Sequence, residues 1–598
     1  MRDIRMQKSR FSPRGTHRRE TVTIDRSAGE ARYVRLSSVE YPDGRNVFYI
    51  YPSSGIGDAL SRVEAIAGDA SGATRFAEYA YLGAGTIVSV AHPAVSGGLM
   101  LDYNPSGNAD GNPNDNYSGW DRFGRVVDQR WTDGAGTADL DRYSYTYDGN
   151  SNRTSRTNLV ETNGVLDEDY TYDGLNRLVD TNRNGTDLQS WNLDSLGNWS
   201  SFTDEGTTEE RTFNAANEIQ NISSPAVPPE DAVSPEFDAA GNMISGPRPD
   251  DPLVRQHYIY DAWNRLVEVR ADNPDNSGSP GDAIATFEYD GRNFRIGKTV
   301  GGVLEAFYYN EGQQLLETQV DGAATEEYVW GNRYIDAPIL RATPGEVLYY
   351  ANDANMNVTA LVDAATGLVV ERYHYDPYGE VQFMEADWTP RAASAFDNAV
   401  LYTGRRLDAE TGLFYYRARY YDPQLGRFIG RDPIGYADGL NLYEYVSGRS
   451  TIATDPSGRV VYILYEPSRW RDTITVPNPD GTTRKSTEEA EARSQINEWN
   501  SAIDEVVAFA EKHNKTIKSY ELNGVTLNSK DKFVAQINKL RMVLVEPLGV
   551  DATQNAILAQ IKNTLANASA DDEVMFEAHS RLGTAPLLIQ VGRNPRSR

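Results

Sequence analysis

A short tyrosine-rich unit recurs along most of this 598-residue chain, and nothing else in the sequence limits the available folds so strongly. YSYTYDGNSNR (143–153), YTYDGLNRLVD (170–180), HYIYDAWNRLVEV (257–269) and FEYDGRNFRIGKTV (287–300) share one plan. Each has alternating aromatics, an Asp, a turn containing Gly or Asn, then Arg and an apolar tail. Weaker copies stand at 190–199, 211–222, 236–244 and 307–317, and upstream at 120–130 and 40–52.

The local physics of the unit is a hairpin. Tyr170 and Tyr172 are two apart and project from one face of a strand. Asp173-Gly174 is expected to make the tight φ > 0 turn, and Arg177-Leu178-Val179 to return as the second strand. One hairpin cannot bury its face alone, so successive copies must pair edge to edge into a long sheet. The 36 Tyr against 17 Phe suit such half-buried sheets, because Tyr joins an apolar ring to a wet hydroxyl. Rings such as Tyr172 and Tyr260 are packing residues on this reading, and carbohydrate stacking is their alternative use.

A formal net charge of −28 repels phosphate backbones and argues against nucleic-acid binding by the chain as a whole. The one strongly basic stretch is the start, where no apolar region follows that would make a secretory signal. Residues 1–29 are therefore read as a disordered basic N-terminus. No run approaches the ~18 apolar residues of a membrane span. Without a single Cys the chain has no disulfide or thiolate chemistry, which leaves its redox compartment open.

The most specific stretch is YTGRRLDAETGLFYYRARYYDPQLGRFIGRDPIGYADGLNLYEYVSG (402–448), followed by DPSG (455–458). With the repeats it closely resembles the RHS/YD-repeat family and its RHS-associated core domain. That family also includes the C subunits of bacterial Tc toxins and, more distantly, animal teneurins. LYYANDANMNVTALVD (348–363) and RYHYDPYGEV (372–381) resemble the segments that precede the core. The resemblance implies a spiralling, hollow β-hairpin shell over residues 30–347, a core domain over 348–458 and a variable domain over 459–598.

Two Asp-Pro pairs carry the chemistry, with Asp432 and Asp455 standing 23 residues apart. Two carboxyls held close share a proton, so that one activates water while the other polarises the scissile carbonyl. In the RHS and Tc-toxin family such a pair is associated with self-cleavage just after the core, with an Arg assisting. By motif position the resemblance assigns the pair to Asp432 and Asp455 and the Arg to Arg419, with the scissile bond near Gly458 and Arg459. The plainer use of Asp before Pro is to begin a turn, the reading preferred for Asp376 and Asp422. The family usually reads D-P-x-G-L and cuts after the Leu, whereas this chain carries Arg459 there. A cation buried at that position is expected to slow or abolish the cut.

From Arg459 the period changes to alternating strands and helices, which predicts a small α/β domain with a parallel sheet. Strands are expected at 460–467, 515–522, 541–547 and 572–580, with helices beginning after Ser486 and over 530–540 and 554–568. His579, at the end of the last strand, is a candidate general base, against an ordinary strand-end His. Its setting is loosely similar to caspase-like peptidases, but without a Cys no catalytic residue carries over. There is no glycine-rich phosphate loop, H-E-x-x-H or G-x-S-x-G, so no cofactor and no metal is expected.

Two functional readings stay open at the level of sequence. The first is a secreted or surface-delivered toxin-type shell whose partners are its own C-terminal domain as cargo and an immunity protein or secretion-system component. The second is a non-enzymatic cell-surface adhesion or scaffold protein. A third reading, a remnant of a longer shell, rests on the chain opening in mid-repeat.

Overall fold

Alternation of buried and solvent-facing residues runs through strand after strand, as a sheet with one packed face requires. Asp139–Tyr147 buries Asp141, Tyr143 and Tyr145, and Glu168–Tyr172 buries Glu168 and Tyr170. The computed structural model describes residues 35–459 apart from 83–84, 104–118, 230, 275–277 and 438, and outside that span strand positions alone. The chain divides into two units, Met1–Asp121 with Arg125–Tyr465, and Glu466–Arg598 with Arg122–Gly124.

Within each large sheet of the first unit, each strand pairs antiparallel with the next. One meander of 17 strands runs from Ile4–Arg10 to Ile219–Ser223, and a second of 15 runs from Glu236–Phe237 to Pro390–Arg391. The second sheet passes through residue 348 without a break, because Glu346–Asn352 pairs on both sides. The structure differs from expectation at the start, where Ile4–Arg10 and Arg18–Asp25 are strands in the stretch read as disordered. Thr21 lies opposite Glu40, so the basic segment extends the sheet edge, a place where charged strands are common.

The hairpin turn is also not the one the Asp-Gly pairs suggest. Gly149, Gly174 and Gly291 do not adopt positive φ; the left-handed residue comes two positions later, at Ser151, Asn176 and Asn293. The turn Asp does the work of reversal. Asp173 Oδ1 accepts the N–H groups of Leu175 and Arg177, both at 2.9 Å, and Asp148, Asp194, Asp261 and Asp290 repeat the pattern. The arrangement is a side-chain-capped loop with a register shift, not a two-residue turn. Tyrosine hydroxyls tie neighbouring repeats together: Tyr172 Oη donates to Arg153 O at 2.6 Å, and Tyr289 Oη to Leu266 O at 2.7 Å.

The packed faces of the two sheets meet. Val90, Leu101 and Trp131 of the first share a core with Val329, Tyr349 and Val362 of the second. Against both lies a four-stranded antiparallel sheet, Arg406–Asp408, Leu413–Tyr416, Arg419–Asp422 and Arg427–Phe428. Tyr402, Tyr416, Tyr421, Phe428 and Tyr445 are fully buried there in mutual ring contact. Burying one such ring stabilises by roughly 2–3 kcal/mol. Their hydroxyls find partners, Tyr421 Oη donating to Tyr378 O at 2.7 Å and Tyr402 Oη to Pro377 O at 2.9 Å.

Beyond the core, the helices expected after Ser486 and at 530–540 and 554–568 lie outside the described residues, as does a strand at 541–547. The strands that are described form an antiparallel sheet, where a parallel one is expected. Lys515–Leu522 pairs antiparallel with Gly583–Arg593, which pairs antiparallel with Glu573–Ser580. The last two strands are only two residues apart in sequence, too close for the crossover a parallel pair needs. Of the strand expected at 460–467, Tyr462–Ile463 lies among the described residues, and it pairs antiparallel with Ala453–Thr454 of the core. Among the described residues no helix is long and apolar enough to cross a membrane.

Candidate functional site

The central strands of the core sheet bring one arginine to two acids. Arg419 opens the strand Arg419–Asp422, just after a two-residue loop, and its guanidinium carbon lies over the Phe428 ring, 3.6 Å from its centre. Its Nη2 lies 3.0 Å from Asp432 Oδ2 and 3.3 Å from Asp455 Oδ2. The same side chain donates from Nε to Gly458 O at 2.6 Å and from Nη1 to Leu442 O at 3.1 Å. All three side chains assigned by motif position thus converge. They are buried, with 7% of Arg419, 9% of Asp432 and 2% of Asp455 exposed.

Both acids are also turn formers, the plainer use of Asp before Pro. Asp432 Oδ1 accepts the Ile434 N–H at 2.9 Å, and Gly435 is left-handed at φ 64°. Asp455 Oδ1 accepts the N–H groups of Ser457 at 3.2 Å and Arg459 at 3.0 Å, and the Ser457 hydroxyl at 3.1 Å. Gly458 takes φ 67°, and an added Cβ there would stand 2.3 Å from Tyr416 O, so glycine is required on both counts. With one oxygen spent on the turn, each acid leaves its second oxygen for the shared guanidinium.

Burial pushes the Asp432 carboxyl above the ordinary aspartate value. Arg419 pulls it back, the charge of Asp455 adds to the rise, and Arg459 opposes it. Arg459 itself is exposed, so the unpaired buried cation expected at that position does not arise. Asp376 and Asp422 stand apart from this cluster. Asp422 caps its own turn through the Gln424 and Leu425 N–H groups at 3.0 and 2.9 Å, and burial pushes its carboxyl up to about 7. Asp376 Oδ1 is paired with Arg183 at 2.9 Å at the join between the sheets. His579 falls in the strand Glu573–Ser580, whose side chains lie outside the described residues.

Reading the sequence misses three members of the surroundings. Arg417 reaches Asp336, and Arg405 joins the same carboxylate at 2.9 Å. The RAR triplet hints at Arg417, but nothing marks Asp336, 81 residues earlier. Among the described residues no group of three or more His, Asp or Glu side chains is placed to hold a metal ion.

The Teneurin YD-shell family matches residues 136–447. The tRNA3(Ser)-specific nuclease WapA of Bacillus spizizenii is 30% identical over 301 residues, which cover 49% of this chain and 12% of that protein. Toxin subunit YenC1 of Yersinia entomophaga is 28% identical over 333 residues, 51% of this chain and 32% of the relative. The Tc holotoxin pore of Photorhabdus luminescens, solved with a mutation in TccC3, superposes with a TM-score of 0.50 at 19% identity. That match covers 75% of this chain and 22% of the solved one, and it concerns the fold alone. The chain spans less than a third of the length of each of these proteins. Its match to the family model extends over more than half of its residues, and the chain belongs to the Teneurin YD-shell family.

Proposed function

We propose that the chain is the wall of a toxin-type shell protein that encloses and presents its own C-terminal domain, residues 459–598, and cuts itself beside Arg459. The repeats form the wall, whose second sheet runs on through residue 348 to Pro390–Arg391, and the core segment that follows closes it. One observation carries the reading: a single guanidinium nitrogen lies on both carboxylates, while Nε of the same side chain holds the carbonyl of the Gly458–Arg459 peptide. The relatives named as toxins support the wall's role as carrier, and in that role the chain works outside the cell that makes it. An immunity protein in the producing cell then protects against the released domain.

The chemistry follows the two-carboxylate scheme. Asp432 enters as the protonated partner, the direction in which burial pushes its carboxyl, and polarises the scissile carbonyl, while Asp455 takes a proton from the attacking water. The water oxygen bonds to the carbonyl carbon, and the C–N bond breaks as the leaving nitrogen gains a proton. One water is consumed, a carboxyl and an amine terminus form, and the dyad recovers its single proton. Arg419 steadies the developing oxyanion charge.

Mass spectrometry of the purified chain under denaturing conditions tests this. Denaturation is needed because Tyr462–Ile463 pairs with Ala453–Thr454 and keeps the cut piece attached. The expected result is a split beside Arg459 that Asp432→Asn or Asp455→Asn slows by about 10²–10⁴-fold. Those variants keep the turn, since Asn214 and Asn310 cap repeat turns in the same way. Cleavage requires protonated Asp432, so it persists above the pH range of a free aspartate and fails as pH rises through the raised value. A chain intact at every pH overturns the cleavage and leaves a scaffold that displays its tail.

A further inference from the structure

Three consecutive carbonyls of the segment leading to Arg459 are each held by one of three consecutive residues of a core hairpin. Arg417 Nη1 donates to Pro456 O, the Ala418 N–H to Ser457 O at 3.3 Å, and Arg419 Nε to Gly458 O at 2.6 Å. This ladder fixes the register of the chain against the dyad.

Arg417 is an unusual residue for its place. It is the first residue of the two-residue loop closed by Tyr416 and Arg419, and it takes φ 57°. That position normally favours glycine, and a larger residue there is strained. What holds it is a buried fork: Nη2 lies 2.5 Å from Asp336 Oδ1 and Nη1 3.0 Å from Asp336 Oδ2. Asp336 is 1% exposed and is itself steadied by Arg405. Bidentate pairing of this kind fixes direction as well as distance.

We propose that Asp336 and Arg417 are a positioning pair for the self-cleavage proposed above, on which this inference rests. The pair holds the Pro456 carbonyl and thereby sets which peptide bond meets Asp432 and Asp455. Neither residue joins the reaction.

The test compares cleavage rates of the purified full chain with those of Arg417→Gly, in which glycine keeps the φ > 0 loop. The expected result is a rate lowered by about 10–100-fold, the scale of a small misplacement of reacting groups. The pH profile, set by the dyad, stays in place, and millimolar guanidinium restores part of the rate where equal sodium chloride does not. Arg417→Lys keeps the charge but not the fork, and is expected to be slow as well even if the glycine variant does not fold. Wild-type rates in both variants, or a slow glycine variant indifferent to guanidinium, overturn the pair alone. A wild-type chain that never cuts defeats the cleavage reading and the pair with it.

Discussion

At Asp173 and at Asp455 the same loop is tied by the same carboxylate oxygen. Oδ1 accepts the N–H groups two and four residues on, and the residue three on is left-handed, Asn176 in one case and Gly458 in the other. The second oxygen differs. Asp173 Oδ2 is closed by Arg177 of its own turn, at 2.7 Å from Nε and 2.6 Å from Nη2. Asp455 Oδ2 faces Arg419, from a strand 36 residues back, and shares it with a second acid. Partial burial works against the Asp173 charge, yet the Arg177 N–H and guanidinium hold that carboxyl below its ordinary value. At Asp432 burial prevails over the same kind of guanidinium. A repeat turn becomes a candidate reaction centre when its spare oxygen is taken over by a cation that serves two acids at once.

The largest difference between the two places is expected on removing the arginine. Arg419→Gln leaves two buried acids without the cation they share, a loss of about 3–5 kcal/mol. Arg177→Gln leaves Asp173 with water at hand and costs about 1 kcal/mol or less. Urea midpoints of the two variants against the parent chain check this. Equal shifts would mean that the core cluster is no more than another turn.

Arg459 sharpens the comparison further. It stands four residues after its Asp, as Arg177 does after Asp173, in the place where the family usually has Leu. In a repeat that arginine closes on its own Asp; here it remains exposed and acts on Asp432, lowering the carboxyl that burial raises. Arg459→Leu removes this cation, so the Asp432 carboxyl rises further. The pH at which cleavage is lost then moves upward. Cleavage rates across pH for the two chains measure the displacement, and a downward move would contradict the assignment of Asp432 as the protonated partner.

The repeat architecture is legible in the sequence because alternation and turn residues are local properties, repeated often enough to be read without contacts. The detail of the turn is not: Gly174 stands out as the flexible residue, while the left-handed position belongs to Asn176 and the reversal to a side-chain oxygen of Asp173. The convergence of Arg419, Asp432 and Asp455 is legible only through the family motif, since spacing alone does not bring two turns together. Asp336 leaves no trace, because its role depends on a contact with Arg417 that no periodicity encodes. In the last domain, Gly583–Arg593 does not read as a strand, its pattern being interrupted by Pro586, and without it the antiparallel pairing on both its sides cannot be foreseen.

The smallest effect tests the turn itself. Asp173→Asn keeps an acceptor for the Leu175 and Arg177 N–H groups and loses only the ion pair with Arg177, for which a cost of about 0.5 kcal/mol is expected. Asp173→Ala leaves both N–H groups without their acceptor and should cost about 1–2 kcal/mol. The order Ala below Asn below wild type in thermal midpoint follows if Oδ1 holds the loop. Acidification gives a second reading of the same residue: because the Asp173 carboxyl is lowered in the fold, its contribution is present above the ordinary aspartate value and is lost as pH falls through the lowered one. Asp173→Asn removes that acid-side loss. Should the asparagine and alanine variants melt together, the Arg177 ion pair and not the Oδ1 cap would be what closes a repeat turn, and the likeness between Asp173 and Asp455 would reduce to backbone geometry.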